Sequence, residues 1–315
     1  MRPDPIAAGL LVGYAADLAF GDPRRGHPVA GFGSAAAALE QRTYAPRRSR
    51  GVLHEAMLVG GVVVLGGAAA RVRPQVPVVA LATWTVLGGR SLIREAAAMH
   101  DLLARDDLAG ARVRIRHLVG RDSSQLSPAE LARACIESVA ENGADAVVSP
   151  LFWGAIAGVP GLIGYRAVNT LDATIGHRSV RYREFGWAAA RLDDVANWVP
   201  ARLTVLSIAL ATGSPTASRR VLHVVRRDAP AHPSPNAGPV EAAFAAALGR
   251  RLGGRNTYRG VTDDRGTLGD GPDVDVSDID AAARLHHRTA AIALALVVGG
   301  RLVTRAARRR MRRRS

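Results

Sequence analysis

Lysine is absent from this 315-residue chain, so all 42 of its Lys/Arg positions are arginine. That absence excludes a Schiff-base lysine, a pyridoxal-phosphate enzyme of the usual kind and a Walker A loop. Any phosphate must meet arginine forks, backbone amides or a metal ion instead. Cysteine occurs once, at Cys135, which excludes an intramolecular disulfide and a cysteine-rich zinc site. Its setting in the apolar-periodic run LARACIESVAEN points to a small buried residue. Aromatic residues are scarce, 4% against 48% apolar, so Ala, Val, Leu and Gly must fill the core. The N-terminal stretch lacks a small-residue cleavage site and is expected to remain as an apolar helix. Strand-like alternation is also scarce, and no internal repeat is evident. Together with 33 glycines, which suit helices packed closely in a bilayer, this predicts a mainly α, polytopic integral membrane protein with helical cytoplasmic segments.

The apolar stretches set the expected organisation. A membrane-spanning helix needs about 20 residues, range roughly 17–25. Val52–Ala70 is the best candidate, interrupted only by His54 and Glu55 near its start, and Val76–Gly89 follows it after a short turn. The two are expected to form a membrane hairpin. Ile6–Phe20 is shorter, with Asp17 near the interface. Pro150–Tyr165 and Val199–Thr212 are short and rich in Gly or Pro, suited to re-entrant or protein-buried segments. Thr289–Val303 precedes the basic tail RRRMRRRS. Arginines flank the hairpin on both sides, which places both flanks and the tail in the cytoplasm and the Arg71 turn outside. The formal charge of +15 could serve nucleic acid, but the tail follows an apolar stretch and lacks interleaved aromatics. Cytoplasmic anchoring at the cell membrane is the better reading, and no nucleic-acid partner is expected. The domains expected are 1–90 for the N-terminal helices, 91–212 for most of the site, 213–286 for a soluble loop region and 287–315 for the last helix and tail. Val240–Leu252 is the one clear helix of the loop region.

Polar residues gather in four blocks beside the apolar stretches. The first carries Asp17, Asp22 and His27 around the turn signal Gly21-Asp22-Pro23. In the second, Arg121 and Asp122 precede Ser127, which forms a capping box with Glu130 and has Pro128 at the first helical position. Arg133, Glu137 and Glu141 then follow at i, i+4 spacing on one face, with Asn142 and Asp145 beyond. Acids at a membrane boundary are expensive unless used or paired. The third block is densest, with Asn169, Asp172, Arg178, Arg183, Arg191, Asp193, Asp194, Asn197 and Arg202. Hard oxygen ligands so grouped suit Mg²⁺, and the arginines suit phosphate. The fourth places His232, Ser234 and Asn236 between prolines ahead of a helix start, where backbone amides favour an anion or a simple cap.

At these blocks the sequence resembles the CobD/CbiB family of cobalamin biosynthesis proteins. The resemblance runs from the GDP-x3-HP pattern at Gly21–Pro28 to LGDG near Leu268. RDSSQLS, ESVAENGADAVVSPLF, NTLDATIGHRSVRYREFGWAAARLDDVANWVPARL and HPSPNAG are its most specific parts. Ala173 and Gly143-Ala144 are small departures from the pattern. The resemblance implies a membrane ligase that condenses adenosylcobyric acid with (R)-1-amino-2-propanol phosphate, or a related amino-alcohol phosphate, to adenosylcobinamide phosphate, with ATP consumed. That chemistry needs an activated carboxylate, neutralised phosphates and a base for the incoming amine. By residue type, Asp193, Asp194 and Asp172 are expected on Mg²⁺, and Arg183, Arg191 and Arg202 on phosphate. Glu137 or Glu141 is expected as base with His232 behind them, and Arg121 or Arg227 on the amino-alcohol phosphate. His27, Asp122, Asn142, Asn169, Ser234 and Asn236 complete the expected binding set. The scheme leaves room for a partner subunit or other corrinoid enzymes at the membrane. A membrane corrinoid transporter, or a scaffold that binds corrinoid without catalysis, is the alternative.

Overall fold

A computed structural model describes residues 4–23, 26–120, 122–177, 179–258 and 261–312. The first helices are α1 (Pro5–Phe20), α2 (Pro28–Thr43), α3 (Arg48–Ala69), α4 (Gln75–Val86) and α5 (Gly89–Ala104). Next come α6 (Leu108–Arg114), α7 (Pro128–Gly143), α8 (Ser149–Ala157), α9 (Val159–Leu171) and α10 (Tyr182–Phe185). After these follow α11 (Trp187–Ala211), α12 (Pro215–Asp228), α13 (Ala237–Leu248), strands β1 (Leu252–Tyr258) and β2 (Val261–Leu268), and α14 (Asp278–Arg312). The fold is mainly α, as expected. It divides into two compact units, each assembled from separated stretches rather than from consecutive segments. One comprises Met1–Arg90, Asp145–Asn197 and Leu294–Ser315, the other Ser91–Ala144 and Trp198–Ala293.

The first unit is built on close helix contacts through glycine. Gly9 and Gly13 lie one turn apart on α1, in the small-xxx-small pattern that lets backbones approach. A Cβ on Gly9 would come 2.6 Å from Val79 Cγ1, and one on Gly13 would come 2.6 Å from the Ala80 carbonyl oxygen, so α1 seats directly on α4. Likewise Gly66 of α3 faces Pro160 of α9, and Gly164 of α9 faces Val63. The stretch expected to form one hairpin, Val52–Gly89, therefore pairs otherwise: α3 packs chiefly on α9, and α4 on α1. Gly13→Leu is expected to destabilise the protein by about 1–3 kcal/mol through overpacking. Gly60→Leu, whose added Cβ meets nothing within 4 Å, should be close to neutral. Thermal melts of both variants in detergent check this.

Among the described residues, three stretches are long and apolar enough to cross a membrane: Arg48–Ala69, Gln75–Ala104 and Asp278–Met311. Only 17% of the apolar window of Arg48–Ala69 is buried within the protein, leaving an apolar face that water disfavours. The other short stretches differ from expectation. Pro150–Tyr165 is broken at Gly158, whose φ of 68° ends α8 and starts α9. Val199–Thr212 is no separate segment; it is the second half of the 25-residue α11, which runs through Pro200. Proline at that position cannot donate to the carbonyl one turn earlier. Here the Trp153 indole N–H donates to the Ala196 carbonyl oxygen at 3.0 Å, so that acceptor is satisfied from α8. The basic tail continues α14 as helix through Arg312, and Arg301 and Arg305 meet the buried Asp4 carboxylate at 3.1 and 2.7 Å.

The second unit surrounds α7, which is buried along most of its length. Its start is the expected capping box: Ser127 Oγ accepts from the Glu130 N–H, Glu130 accepts from the Ser127 N–H, and Pro128 opens the helix. Leu131, Cys135, Ile136 and Val139 join Val240, Phe244 and Ala245 of α13 in the core. Burial pushes the Cys135 thiol up to about 12, which makes it an inert packing residue. The helix expected over Val240–Leu252 stops at Leu248, because Gly249 takes the left-handed conformation at φ 66°. An antiparallel hairpin, β1 with β2, follows where a loop was expected, with a register shift between Gly253 and Arg255.

Candidate functional site

In the first unit, several elements bring polar side chains together, half-buried around the buried Asn197 and Glu55. Two of these elements are π-helical turns, Ala144–Val148 and Asp172–Gly176, and each carries an acid at its start, Asp145 or Asp172. Such turns displace side chains from the regular helical register and often mark functional sites. From α9, Asn169 donates through Nδ2 toward Asp145 Oδ2 and Asp193 Oδ1, both at 3.4 Å. From α11, Asn197 donates to Asp193 Oδ2 at 2.9 Å, the i, i+4 pair expected from the sequence. Asn197 is itself fixed, since its Oδ1 accepts from Ser149 Oγ at 2.7 Å and from the Tyr165 hydroxyl at 2.8 Å. Arg166 reaches Asn169 Oδ1 at 3.3 Å, while its Nε is buried with no hydrogen-bond acceptor among the described residues. On α3, Glu55 is 4% exposed and feels the charges of Asp172 and Asp193. Neither of its carboxylate oxygens accepts a hydrogen bond among the described residues.

Arg166 also forms part of the wall of an open pocket of about 200 Å³. The remaining walls are largely apolar and include Val29, Phe32, Leu65 and Ile163, with Thr170 beside Arg166. A guanidinium at the edge of an apolar chamber suits a ligand with an anionic group and a hydrocarbon body.

The other expected site residues are placed differently. Glu137 accepts from the Gly253 N–H at 2.9 Å and lies 3.8 Å from Arg133, which in turn donates to the Gly253 carbonyl oxygen. The pair clamps the backbone of Gly253 in β1 through both of its peptide groups, which gives Glu137 a task in the fold of the second unit. Glu141 lies one turn further on the same helix and is half-buried. Asn142 donates to Ser138 Oγ at 2.7 Å. Exposed Asp122 accepts from the Ser124 N–H, and that hydrogen bond holds its carboxyl below the usual range. Arg121 and Arg178 lie outside the described residues.

The HPSPNAG loop is a cap. His232 Nδ1 accepts from the Ser234 N–H at 3.0 Å, and Ser234 Oγ accepts from the N–H groups of Asn236 and Ala237. Beneath it His232 Nε2 lies 3.8 Å from Glu241, which also meets Arg265, and Glu241 was not among the expected residues. Arg202 is drawn to this loop, donating to the Pro235 carbonyl and to Asn236 Oδ1, with its guanidinium over the Trp198 ring. Arg227 is spent on acids, bonding Asp228 at 2.6 and 2.9 Å and Asp270 of the LGDG motif at 2.7 Å. Those bonds hold the Asp228 carboxyl below the usual range. Arg183 is exposed beside Glu184, and exposed Arg191 faces Asp194 at 3.6 Å. His27 caps α2, its Nδ1 accepting from the Val29 N–H, with Asp22 at 3.9 Å.

The expected Mg²⁺ set of Asp172, Asp193 and Asp194 does not converge. Asp194 turns to Arg191, and among the described residues no three His, Cys, Asp or Glu side chains are placed to hold a metal ion. The donors present therefore do not fit a resident metal clamped by three protein ligands.

These features define a class: a mainly helical protein with apolar helices of membrane-crossing length and a half-buried carboxylate–amide cluster among its short, interrupted helices. The model for the CobD/Cbib protein family matches residues 10–286, and the chain belongs to that family. It is 51% identical over 299 residues to the cobalamin biosynthesis protein CobD of Mycobacterium tuberculosis, covering 93% of this chain and 95% of the relative. A like-named protein of Rhodobacter capsulatus is 44% identical over 307 residues, covering 93% and 96%. That of Chromobacterium violaceum is 42% identical over 291 residues, covering 89% and 91%. No solved structure matches the chain.

Proposed function

We propose that this chain acts in cobalamin biosynthesis as a multi-pass cell-membrane ligase. It joins adenosylcobyric acid to (R)-1-amino-2-propanol phosphate, or a related amino-alcohol phosphate, with ATP consumed, at a site facing the cytoplasm. The observation that carries this reading is the 51% identity across 93% of the chain to a protein named for cobalamin biosynthesis. The cluster of the first unit supports it: half-buried acids, amides and an arginine gathered beside a largely apolar pocket.

In this scheme a corrinoid carboxylate oxygen attacks the γ-phosphorus of ATP, giving an acyl phosphate and ADP. The amine nitrogen, freed of a proton, attacks the acyl carbon, and the C–O bond to phosphate breaks to leave the amide and inorganic phosphate. Mg²⁺ enters with ATP as the counter-ion of its phosphates, since no three described side chains form a metal clamp. Arg166 offers a half-buried guanidinium to an anionic group, and Asp145, Asp172 and Asp193 favour the cationic reactant over a second anion. Asn169 and Asn197 hold Asp193 in one orientation, so the charge is fixed before substrates arrive.

The test is reconstitution. Full-length protein in nanodiscs receives adenosylcobyric acid, the amino-alcohol phosphate, Mg²⁺ and ATP, and mass spectrometry follows the corrinoid. Condensed corrinoid that requires all three substrates is the expected result. Vesicle uptake of corrinoid without covalent change would replace the ligase with a transporter, a reading that the broken α8–α9 segment also suits.

A further inference from the structure

We infer that the basic end of α14 emerges on the membrane face opposite the carboxylate–amide cluster, beside the Arg71 turn, where Arg308, Arg309 and Arg310 form a surface for anionic lipid headgroups. Every contact that places it lies within the first unit. Helix directions follow from the pairs along each interface. α1 and α4 run parallel: Gly9 faces Val79, Gly13 faces Thr83, and the Trp84 indole donates to the Gly21 carbonyl oxygen at 2.8 Å. Asp4, at the start of α1, therefore shares an end with the start of α4 and the Arg71 turn before it. α3 and α9 run antiparallel, with Gly66 on Pro160 and Val63 on Gly164, and Gly158 before α9 faces Ile6. These contacts mark one end of the helices. Glu55 lies about 21 Å along α3 from Ala69, and Asn169 about 14 Å along α9 from Pro160, so the cluster sits toward the other end.

α14 is itself long and apolar enough to cross, and its basic end is the one that reaches Asp4, through Arg301 at 3.1 Å and Arg305 at 2.7 Å. Arginine placement along the sequence puts the tail with the flanks of α3 and α4. Packing overrides it, because both ends carry arginine: Arg47, Arg48, Arg50 and Arg90 at one, Arg71 and Arg73 at the other. The depth suits headgroups. Asp4 fixes Arg305 at the end of α1, and the exposed Arg308, Arg309 and Arg310 follow about 5–8 Å further along the helix. One headgroup layer is roughly as thick, and arginine forks suit lipid phosphate. With the cluster facing the cytoplasm, as proposed above, the tail lies on the outer face. The relative sides do not depend on that reading.

Three exposed positions test the sides: Ser49→Cys toward the cluster, Val72→Cys in the Arg71 turn and Met311→Cys in the tail. Because Cys135 is buried, the unaltered chain serves as the unlabelled blank. A membrane-impermeant maleimide is applied to sealed vesicles of one orientation, before and after permeabilisation. Met311→Cys should label from the same side as Val72→Cys and from the side opposite Ser49→Cys. Labelling of Met311→Cys from the Ser49→Cys side, or of all three from one side, would overturn the inference. If Met311→Cys does not fold, exposed Ala307→Cys takes its place. For the lipid surface, a spin label at the tail cysteine is read in nanodiscs with and without phosphatidylglycerol in phosphatidylcholine. The anionic lipid should slow it, and Arg308→Gln, Arg309→Gln and Arg310→Gln together should abolish the difference. Equal mobility in the two lipids, or slowing that survives the three substitutions, would remove the headgroup surface.

Discussion

Asp193→Asn is expected to lower turnover by about 100- to 10,000-fold while leaving the protein folded. The substitution keeps the shape of the side chain, removes its charge and replaces one of its two acceptor oxygens, the one facing Asn169 Nδ2, with an NH2 group. The amide oxygen can still accept from Asn197 Nδ2, so the buried bonds of Asn197 to Ser149 and Tyr165 have no reason to move. What disappears is a negative charge fixed at the centre of the cluster, beside Asn169 and within electrostatic reach of Glu55. In a half-buried site such a charge is only partly screened, and its loss falls on the cationic reactant as it reacts. Asp194→Ala is the control. That carboxylate is next along the chain but faces the exposed Arg191 at 3.6 Å, a pairing that solvent weakens. Turnover should then stay within about twofold of the unaltered enzyme. Initial rates of corrinoid condensation, with melting temperatures measured alongside, check both. Equal losses in the two variants would mean that position along α11, rather than the cluster around Asn169, decides activity.

Much of the framework was legible because it rests on local chemistry. Ser127, Pro128 and Glu130 announce the start of α7 through groups within one turn, and the structure contains that cap. Val52–Ala70 is recognisable as a long apolar helix from composition alone. Asp193 with Asn197 follows from helical spacing. The misses are long-range. The hairpin Leu252–Leu268 shows no alternation because glycines interrupt it: Gly253, Gly254 and Gly266 all have positive φ. Its register is held from outside, by Arg133 and Glu137 on a helix more than 100 residues away. Expecting Arg227 on phosphate failed to anticipate Asp228 and Asp270, one adjacent and one distant in sequence, closing on the same guanidinium. The stretch Val199–Thr212 reads as a separate segment in the sequence, yet α11 passes through Pro200 into it, with Trp153 satisfying the carbonyl that proline leaves open. Glu55 reads there only as an interruption in an apolar run. The signal is present, since a carboxylate inside such a run is costly without a purpose. What sequence could not supply was the neighbourhood: that Asp172 and Asp193 would lie close enough to act on it.

Glu137→Ala is expected to destabilise the second unit by about 2–4 kcal/mol, with turnover per folded molecule largely kept. Glu137 is nearly buried, and its carboxylate accepts from the Gly253 N–H while balancing Arg133. Truncation leaves that N–H without its acceptor and removes one carboxylate from beside a mostly buried guanidinium. It also opens a gap beside Ile136 and Ala140 in the core. Glu137→Gln should be milder, because an amide oxygen still accepts from Gly253 and only the charge facing Arg133 is lost. Denaturant unfolding in detergent gives the order expected of a clamp: unaltered protein, then Gln, then Ala. Base catalysis by Glu137 predicts another pattern. Gln would then fold almost normally and lose as much turnover as Ala, because a neutral amide cannot accept the amine proton. The two readings separate on the Gln variant, where a clamp costs stability and a base costs rate. Since the Gly253 peptide already uses the Glu137 carboxylate, the first pattern is the one expected.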